Sequence, residues 1–199
     1  MFKSLEPFIL SFIPIFVAVD AIGNVPLFLS LTEGLNKKHK QKIVVDSVVT
    51  ATLMAVAFMF VGKWVLNLLS ITISDFQIAG GMLLFVISVR LLLPGASKGL
   101  MVSNHDKDVG VFPLGTPLIT GPAVLTTTLI VLDTYGTLAT FVSLAINMLI
   151  VWITLEKSDI LIKYTGESGT RAFSKIMYIL LAAIAVMMIR RGIMGAFIR

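Results

Sequence analysis

Apolar residues occur along this chain in six long runs, separated by short segments that carry most of the charge. The runs cover approximately residues 7–31, 43–69, 73–93, 111–132, 136–155 and 174–192. A helix needs about 20 residues to cross the roughly 30 Å hydrocarbon core of a bilayer, and each run is about that long. The runs are continuously apolar, without the alternation typical of a membrane β-barrel strand. The pattern therefore predicts an all-α polytopic membrane protein with six transmembrane helices.

Composition supports the bilayer as the solvent. Hydrophobic residues make up 57% of the 199 residues and charged residues 14%, against about 25% charged in an average soluble protein. A soluble domain of this size would leave much of that apolar surface in water. The composition does not change along the chain, so we expect a single transmembrane domain over residues 1–199. We expect the first run to be retained, because Asp20 stands where a signal-peptide cleavage site needs small residues.

Basic residues predict how the chain is oriented in the membrane. The net charge is +5, but the basic residues form short clusters between apolar runs, so we expect no nucleic-acid partner. With the amino terminus outside, eleven of the 16 Lys and Arg residues lie on the inner side and five on the outer. Cytoplasmic loops carry the excess of positive charge, which predicts that both termini lie outside the cytoplasm. The lysine cluster at residues 37–42 could also contact anionic lipid.

A weak internal similarity relates the two halves of the chain. A shift of 96 residues aligns Pro26 with Pro122, and a shift of about 97 aligns Phe76 with Phe173. Three spans in each half give the halves opposite orientations, so the similarity predicts two inverted three-helix repeats, at about residues 1–95 and 108–199. This arrangement recurs in secondary transporters. The alternative is a chance match between two apolar helical stretches.

The first run contains an acid near its middle. A carboxylate such as that of Asp20 is costly inside a membrane unless it is paired, protonated or facing water. Gly23 and Pro26 weaken the helix at the same place, and freed backbone groups at this depth must be satisfied by protein or by a cavity. We therefore expect a helix break in which Asp20, Gly23 and Asn24 contact a polar solute. In the alternative, Asp20 is a structural group.

The fourth run is rich in residues that interrupt helices. Its three prolines are Pro113, Pro117 and Pro122. Each removes a helical hydrogen bond and disfavours helical geometry just before it, so this run is predicted to be broken or re-entrant. Broken helices in corresponding positions of two halves indicate a transporter's binding site, to which this run would contribute Thr116, Thr120 and Gly121. The alternative is a simple kink, with the threonines bonded to their own helix.

Other polar residues inside the apolar runs are less specific indicators of a binding site. Thr126 could face the same cavity or bond back to its helix, and Asn147 could line the cavity or bond across helices. Glu156 and Asp159 are interpreted as a solvated charge cluster. The two histidines, His39 and His105, fall in loops, and no acidic cluster suits a metal. We therefore expect no enzyme activity, no metal site and no cofactor.

The sequence resembles the MarC family of six-span bacterial and archaeal membrane proteins. The resemblance rests on residues 19–28, 79–85 and 117–122 and on the Ala182-rich sixth run, and it extends over essentially the whole chain. The family usually has proline directly after the aspartate, where this chain has Ala21, and often has glycine early in the sixth span, where this chain has Tyr178. The resemblance implies an inner-membrane protein related to proteins proposed to transport neutral amino acids.

These observations favour an ion-coupled secondary transporter of small neutral amino acids or similar polar solutes. It would work by alternating access, with a midplane site between the first and fourth spans. Asp20 would carry a proton or a sodium ion, while Asn24 and the backbone around Gly23 and Gly121 would contact the solute. The bilayer is the expected environment, and the protein could form homo-oligomers. The alternatives are an exporter of a metabolite or drug and a non-transporting membrane scaffold or regulatory protein.

Overall fold

The computed structural model describes residues 2–32, 34–93 and 109–197. Six helices occur in these ranges, and their bounds are α1 Phe2–Val19, α2 Asn24–Leu31, α3 Lys37–Leu68, α4 Ile73–Leu92, α5 Pro122–Glu156 and α6 Asp159–Phe197. Before α5 lies the proline segment, Gly110–Ile119, whose turns are interrupted by extended backbone at Phe112 and Thr116. Within these ranges, the side chains of Pro26 and of residues 2–4, 30, 91, 161–171, 173, 174 and 177 lie outside the described set.

Four helical stretches are long and apolar enough to cross a membrane, and they are Lys37–Leu68, Ile73–Arg90, Pro122–Glu156 and Tyr178–Phe197. Two shorter apolar segments accompany them, Leu5–Val19 and Gly110–Ile119. Large apolar side chains point outward from the bundle: Leu53, Phe60 and Trp64 of α3 are 65%, 66% and 64% exposed. Such a surface fits a lipid environment, because soluble proteins rarely expose large contiguous apolar areas. The predicted class, an all-α membrane protein, is therefore confirmed.

The inward face of α3 is made of small and medium side chains. Its buried residues Ala51, Ala55, Met59, Gly62 and Leu66 recur every three or four positions, which places them on one side of a helix. The small members of this stripe leave room for neighbouring backbone. As a result, α3 is the helix against which the proline segment and α5 pack.

The proline segment and the first part of α5 run alongside α3 in the same direction. Thr120 Oγ1 donates a hydrogen bond of 2.9 Å to the carbonyl oxygen of Ala51. Further along both elements, Asp133 forms an ion pair with Lys63. The proline segment and the first part of α5 thus follow one path along α3, with a break between them.

The chain reverses direction at Gly136, inside α5. Gly136 has a φ of +83°, a backbone conformation that glycine adopts without steric cost. At the far end of α5, Glu156 accepts a 2.5 Å hydrogen bond from Gln41 Nε2, and Asp159 pairs with Lys40 at 2.8 Å. Gly136 is thus a turn between two parts of α5 that run in opposite directions along α3. The acids of the expected charge cluster have their partners on α3.

Helix α1 packs on the second part of α5 through polar side chains. Ser11 Oγ and Ser143 Oγ are 2.8 Å apart. Asn147 Nδ2 donates to the carbonyl oxygens of Ser143, at 2.8 Å, and Phe12, at 3.4 Å. These side chains are fully buried, so their hydrogen bonds hold two helices together within an apolar surrounding.

Helices α4 and α6 pack closely because glycines face the contact. A Cβ atom on Gly81 would lie 2.8 Å from the carbonyl oxygen of Ala185, and one on Gly192 would lie 2.6 Å from Ile78 Cγ1. Small residues allow helix backbones to approach in this way. Gly81 and Gly192 therefore allow the close contact between α4 and α6.

Candidate functional site

The first helix break lies between α1 and α2, at residues 20–23. Asp20 has a φ of +45°, a left-handed conformation that few residues other than glycine, asparagine and aspartate adopt. Its carboxylate turns back over the break, where Oδ1 accepts a 3.1 Å hydrogen bond from the Gly23 N–H. A Cβ atom on Gly23 would overlap Asp20 Oδ2. Glycine at this position therefore leaves the space that the carboxylate occupies.

Asn24 satisfies the backbone that the first break exposes. Its Nδ2 donates to the carbonyl oxygen of Val19 at 2.9 Å and to that of Asp20 at 3.1 Å, and the residue is 6% exposed. Val19 is the last residue of α1, and the Asp20 carbonyl oxygen also accepts a 3.2 Å hydrogen bond from the Asn24 N–H. The Asn24 side chain thus adds hydrogen bonds at the end of α1, where the helical donors run out.

The second break joins the proline segment to α5. Extended backbone at Thr116 and Phe112 interrupts the turns, and the peptide bonds before Pro113 and Pro117 are cis. A Cβ atom on Gly121 would overlap the carbonyl oxygen of Pro117. Gly121 therefore lets the Pro117 carbonyl fold back against the start of α5.

The hydroxyl groups near the second break are used for structure. Thr120 Oγ1 donates to Ala51 of α3, as described above, and Thr120 is 2% exposed. Thr116 Oγ1 lies 3.4 Å from the Val111 carbonyl oxygen. Pro122, the first residue of α5, packs against Gly80 of α4. These contacts attach the second break to its neighbours α3 and α4.

A cavity of about 740 Å³ extends between the two breaks. Six residues that the sequence predicts for the site or for the breaks line it, namely Asp20, Gly23, Asn24, Pro117, Gly121 and Thr126. Thr126 also bonds back to the carbonyl oxygen of Ala123 at 3.2 Å. The structure thus brings the two interrupted segments, 96 positions apart in the chain, to one site.

Other predicted residues lie elsewhere. Five of them are not part of the cavity lining, namely Thr116, Thr120, Pro113, Pro122 and Asn147. Asn147 lies in the α1–α5 interface, where it bonds across helices. The side chain of Pro26 is outside the described residues.

Polar residues outside the predicted site also line the cavity. Gln77 comes from α4, Thr127 from α5, and Tyr178 and Arg191 from α6. Tyr178 is 5% exposed. Gln77 and Arg191 are polar residues within apolar stretches, and this property alone marked them as candidates in the sequence. Which of them faces the cavity depends on how the helices pack, and the sequence does not give that.

The cavity combines two opposite charges with an apolar wall. Among its described lining residues, Asp20 and Arg191 carry charge, while much of the remainder is leucine, isoleucine, methionine and valine. Such a site can hold a small polar solute by a few directed contacts. Within residues 2–32, 34–93 and 109–197, no group of three or more His, Asp or Glu side chains could hold a metal ion.

The fold and the site together define a class of protein, namely a helical membrane bundle with a cavity between two interrupted helices. The model of the MarC family of integral membrane proteins matches residues 5–197. The chain therefore belongs to the MarC family.

Individual relatives agree with this assignment. The UPF0056 membrane protein MJ1677 of Methanocaldococcus jannaschii is 30% identical over 203 residues, which cover 98% of this chain and 99% of the relative. A UPF0056 membrane protein of Archaeoglobus fulgidus is 33% identical, covering 94% and 92% of the two chains. The UPF0056 inner membrane protein YhgN of Escherichia coli K12 is 28% identical, covering 88% and 90%. No solved structure gives a significant match.

Proposed function

We propose that this protein is an ion-coupled secondary transporter of small neutral amino acids or similar polar solutes, located in the inner membrane and without enzyme activity. The observation that carries the proposal is that both helix breaks line the same cavity. At membrane depth, interrupted helices bring backbone N–H and C=O groups and the polar side chains that cap them to a cavity, whereas a continuous helix has no such groups to offer a solute.

The pairing of elements supports two inverted halves of three spans each. Helix α1 of the first half packs on the second part of α5, and the proline segment of the second half packs on α3. Each broken span thus contacts the middle span of the other half. The last spans, α4 and α6, pack on each other. This reciprocal pattern is what a two-fold relation in the membrane plane would produce.

In this proposal Asp20 couples transport to a proton or a sodium ion. Its carboxylate is exposed and lines the cavity beside a break, so it can exchange a cation with the cavity contents. Alternating access would then open the cavity to one side of the membrane at a time. The same architecture serves uptake and export, so the direction of transport is set by the gradients and the cargo.

Uptake into proteoliposomes tests the coupling role. We expect Asp20→Asn to lose uptake of labelled glycine, alanine or serine driven by an imposed proton or sodium gradient, while the protein still inserts and elutes as a single species in detergent. Asp133→Asn is the matched control, since Asp133 is an exposed aspartate outside the cavity, paired with Lys63. Unchanged uptake by Asp20→Asn would contradict the coupling role. No uptake by the wild-type protein would favour the scaffold alternative.

We also infer that both termini face outside the cytoplasm. The chain has no cysteine, so a cysteine introduced at one position is the only thiol of this protein that a maleimide can label. Lys38, at the start of α3, and Ser70, between α3 and α4, are both exposed and lie at opposite ends of that helix. A membrane-impermeant maleimide added to intact cells should label Ser70→Cys and leave Lys38→Cys unlabelled. The reverse labelling would invert the orientation.

A further inference from the structure

Arg191 lies inside an apolar membrane span. The stretch Tyr178–Phe197 is long and apolar enough to cross a membrane, and Arg191 is followed by six residues of it, residues 192–197, that carry no charge. A charged side chain in such a position is costly in lipid, and charged residues within spans almost always face an internal cavity or a partner.

Contacts of the neighbouring residues give the depth of Arg191. Gly192, the next residue, lies against α4 at Ser74 and Ile78: a Cβ atom there would be 2.7 Å from the Ser74 carbonyl oxygen and 2.6 Å from Ile78 Cγ1. Gly80, which contacts Pro122 at the start of α5, follows these two residues by six and two positions. Arg191 therefore lies about 3–9 Å along the helix axis from the level of the second helix break.

The cavity-facing side of α6 includes Arg191 and excludes its neighbour. The lining residues Leu181, Ile184, Met188 and Arg191 recur at intervals of three and four, so they form one stripe along the helix. Arg190 is also exposed, but it does not line the cavity. Arg191 therefore faces the cavity, and Arg190, the residue before it, does not.

Within residues 2–32, 34–93 and 109–197, no ion pair joins Arg191 to an acidic side chain. Asp20, the other charged residue of the lining, has Oδ1 engaged by the Gly23 N–H. The guanidinium group of Arg191 and the carboxylate of Asp20 therefore line the cavity without being paired with each other. Each can form an ion pair with a group of opposite charge on a bound solute.

We propose that Arg191 binds the carboxylate of the transported solute and that the cavity selects zwitterions. The guanidinium group offers two parallel N–H donors that match the two oxygens of a carboxylate. A simple carboxylic acid would also meet the negative charge of Asp20, and a simple amine would meet the positive charge of Arg191. A solute with both groups complements both charges. This inference rests on the proposed function, since it names the chemistry that the transport site recognises.

Binding to the purified full-length protein tests the inference. Isothermal titration with serine is compared with ethanolamine, which lacks the carboxylate, and with lactate, which lacks the amine. We expect the wild-type protein and Arg190→Gln to bind serine at least tenfold more tightly than either analogue. Arg191→Gln should lose this preference over ethanolamine and bind serine at least tenfold more weakly. Arg191→Lys keeps the charge without the paired donors and should fall between the two.

The outcomes separate the two proposals. Serine binding by Arg191→Gln equal to that of the wild-type protein would overturn the role of Arg191 and leave the proposed transport function standing. Binding that depends on Arg191 without gradient-driven uptake would support the carboxylate site and contradict transport. If Arg191→Gln instead loses co-purifying anionic lipid while binding serine normally, the arginine holds a lipid phosphate and the inference is wrong.

Discussion

The two helix breaks are built in different ways, although both end at the same cavity. In the first, polar side chains of the break itself satisfy the freed backbone: Asn24 bonds to the end of α1, and Asp20 bonds to the Gly23 N–H. In the second, Thr120 is bonded to α3 and Pro122 is packed on α4. The first break is thus self-contained and carries the charge, whereas the second is fixed to its neighbours.

This difference predicts that the two helix breaks have different roles. A break that depends on its own side chains can change conformation when the charge state of one of them changes. A break that is attached to two other helices moves only with them. We therefore expect substitutions in the second break to affect stability, and substitutions in the first to affect solute binding.

The largest expected loss of stability follows from Gly121→Ala. The new Cβ atom would overlap the Pro117 carbonyl oxygen, a backbone atom that cannot move without the proline segment. Overpacking of this kind costs about 1–3 kcal/mol. Thermal unfolding in detergent should show a clearly lower Tm than that of the wild-type protein. An unchanged Tm would mean that the second break is not fixed as described.

A smaller loss is expected for Asn24→Ala. The change removes the donor to the carbonyl oxygens of Val19 and Asp20, and a lost hydrogen bond of this type costs about 1–2 kcal/mol. Water in the cavity can replace part of it. The matched control is Asn67→Ala, because Asn67 is an exposed asparagine near the end of α3. Equal unfolding temperatures for the two variants would contradict the capping role of Asn24.

The smallest effect on stability is expected for Gly23→Ala. Here the new Cβ atom would meet the carboxylate of Asp20, a side chain that can turn away, so the cost should stay below about 1 kcal/mol. If the Asp20 carboxylate turns away, its charge leaves its present position in the cavity, so the affinity for the solute should fall. The comparison with Gly121→Ala uses the same substitution in both breaks. Normal solute binding by Gly23→Ala would show that the position of the Asp20 carboxylate is unimportant.

Much of the fold could be predicted from the sequence. Continuous apolar runs define membrane helices because the bilayer requires a fixed length of apolar chain. Both breaks were also predictable, since an acid with Gly23 and Pro26, or three prolines within ten positions, cannot continue a regular helix. The family assignment followed from the same segments and is confirmed by the family match.

The roles of individual polar residues were harder to predict. Thr120 is on the correct segment, yet its hydroxyl is directed to α3 instead of the cavity, because the rotation of a segment depends on its packing. The same reason explains why Arg191 was not expected in the site. Arg190 and Arg191 are adjacent in the sequence, and the packing of α6 on α4, with contacts at Ala185 and Gly192, decides which of them faces inward.

The most direct test of solute binding between the breaks is thermal stabilisation across a panel of small solutes. The purified protein would be heated with neutral amino acids and related compounds, with sodium and pH varied. A ligand that binds only the folded state adds about 2.7 kcal/mol of stability at one hundred times its Kd. We expect stabilisation by small neutral amino acids that is lost in Asp20→Asn and kept in Asp133→Asn. A panel in which no solute raises the Tm, or a rise that Asp20→Asn retains in full, would contradict a binding site between the two breaks.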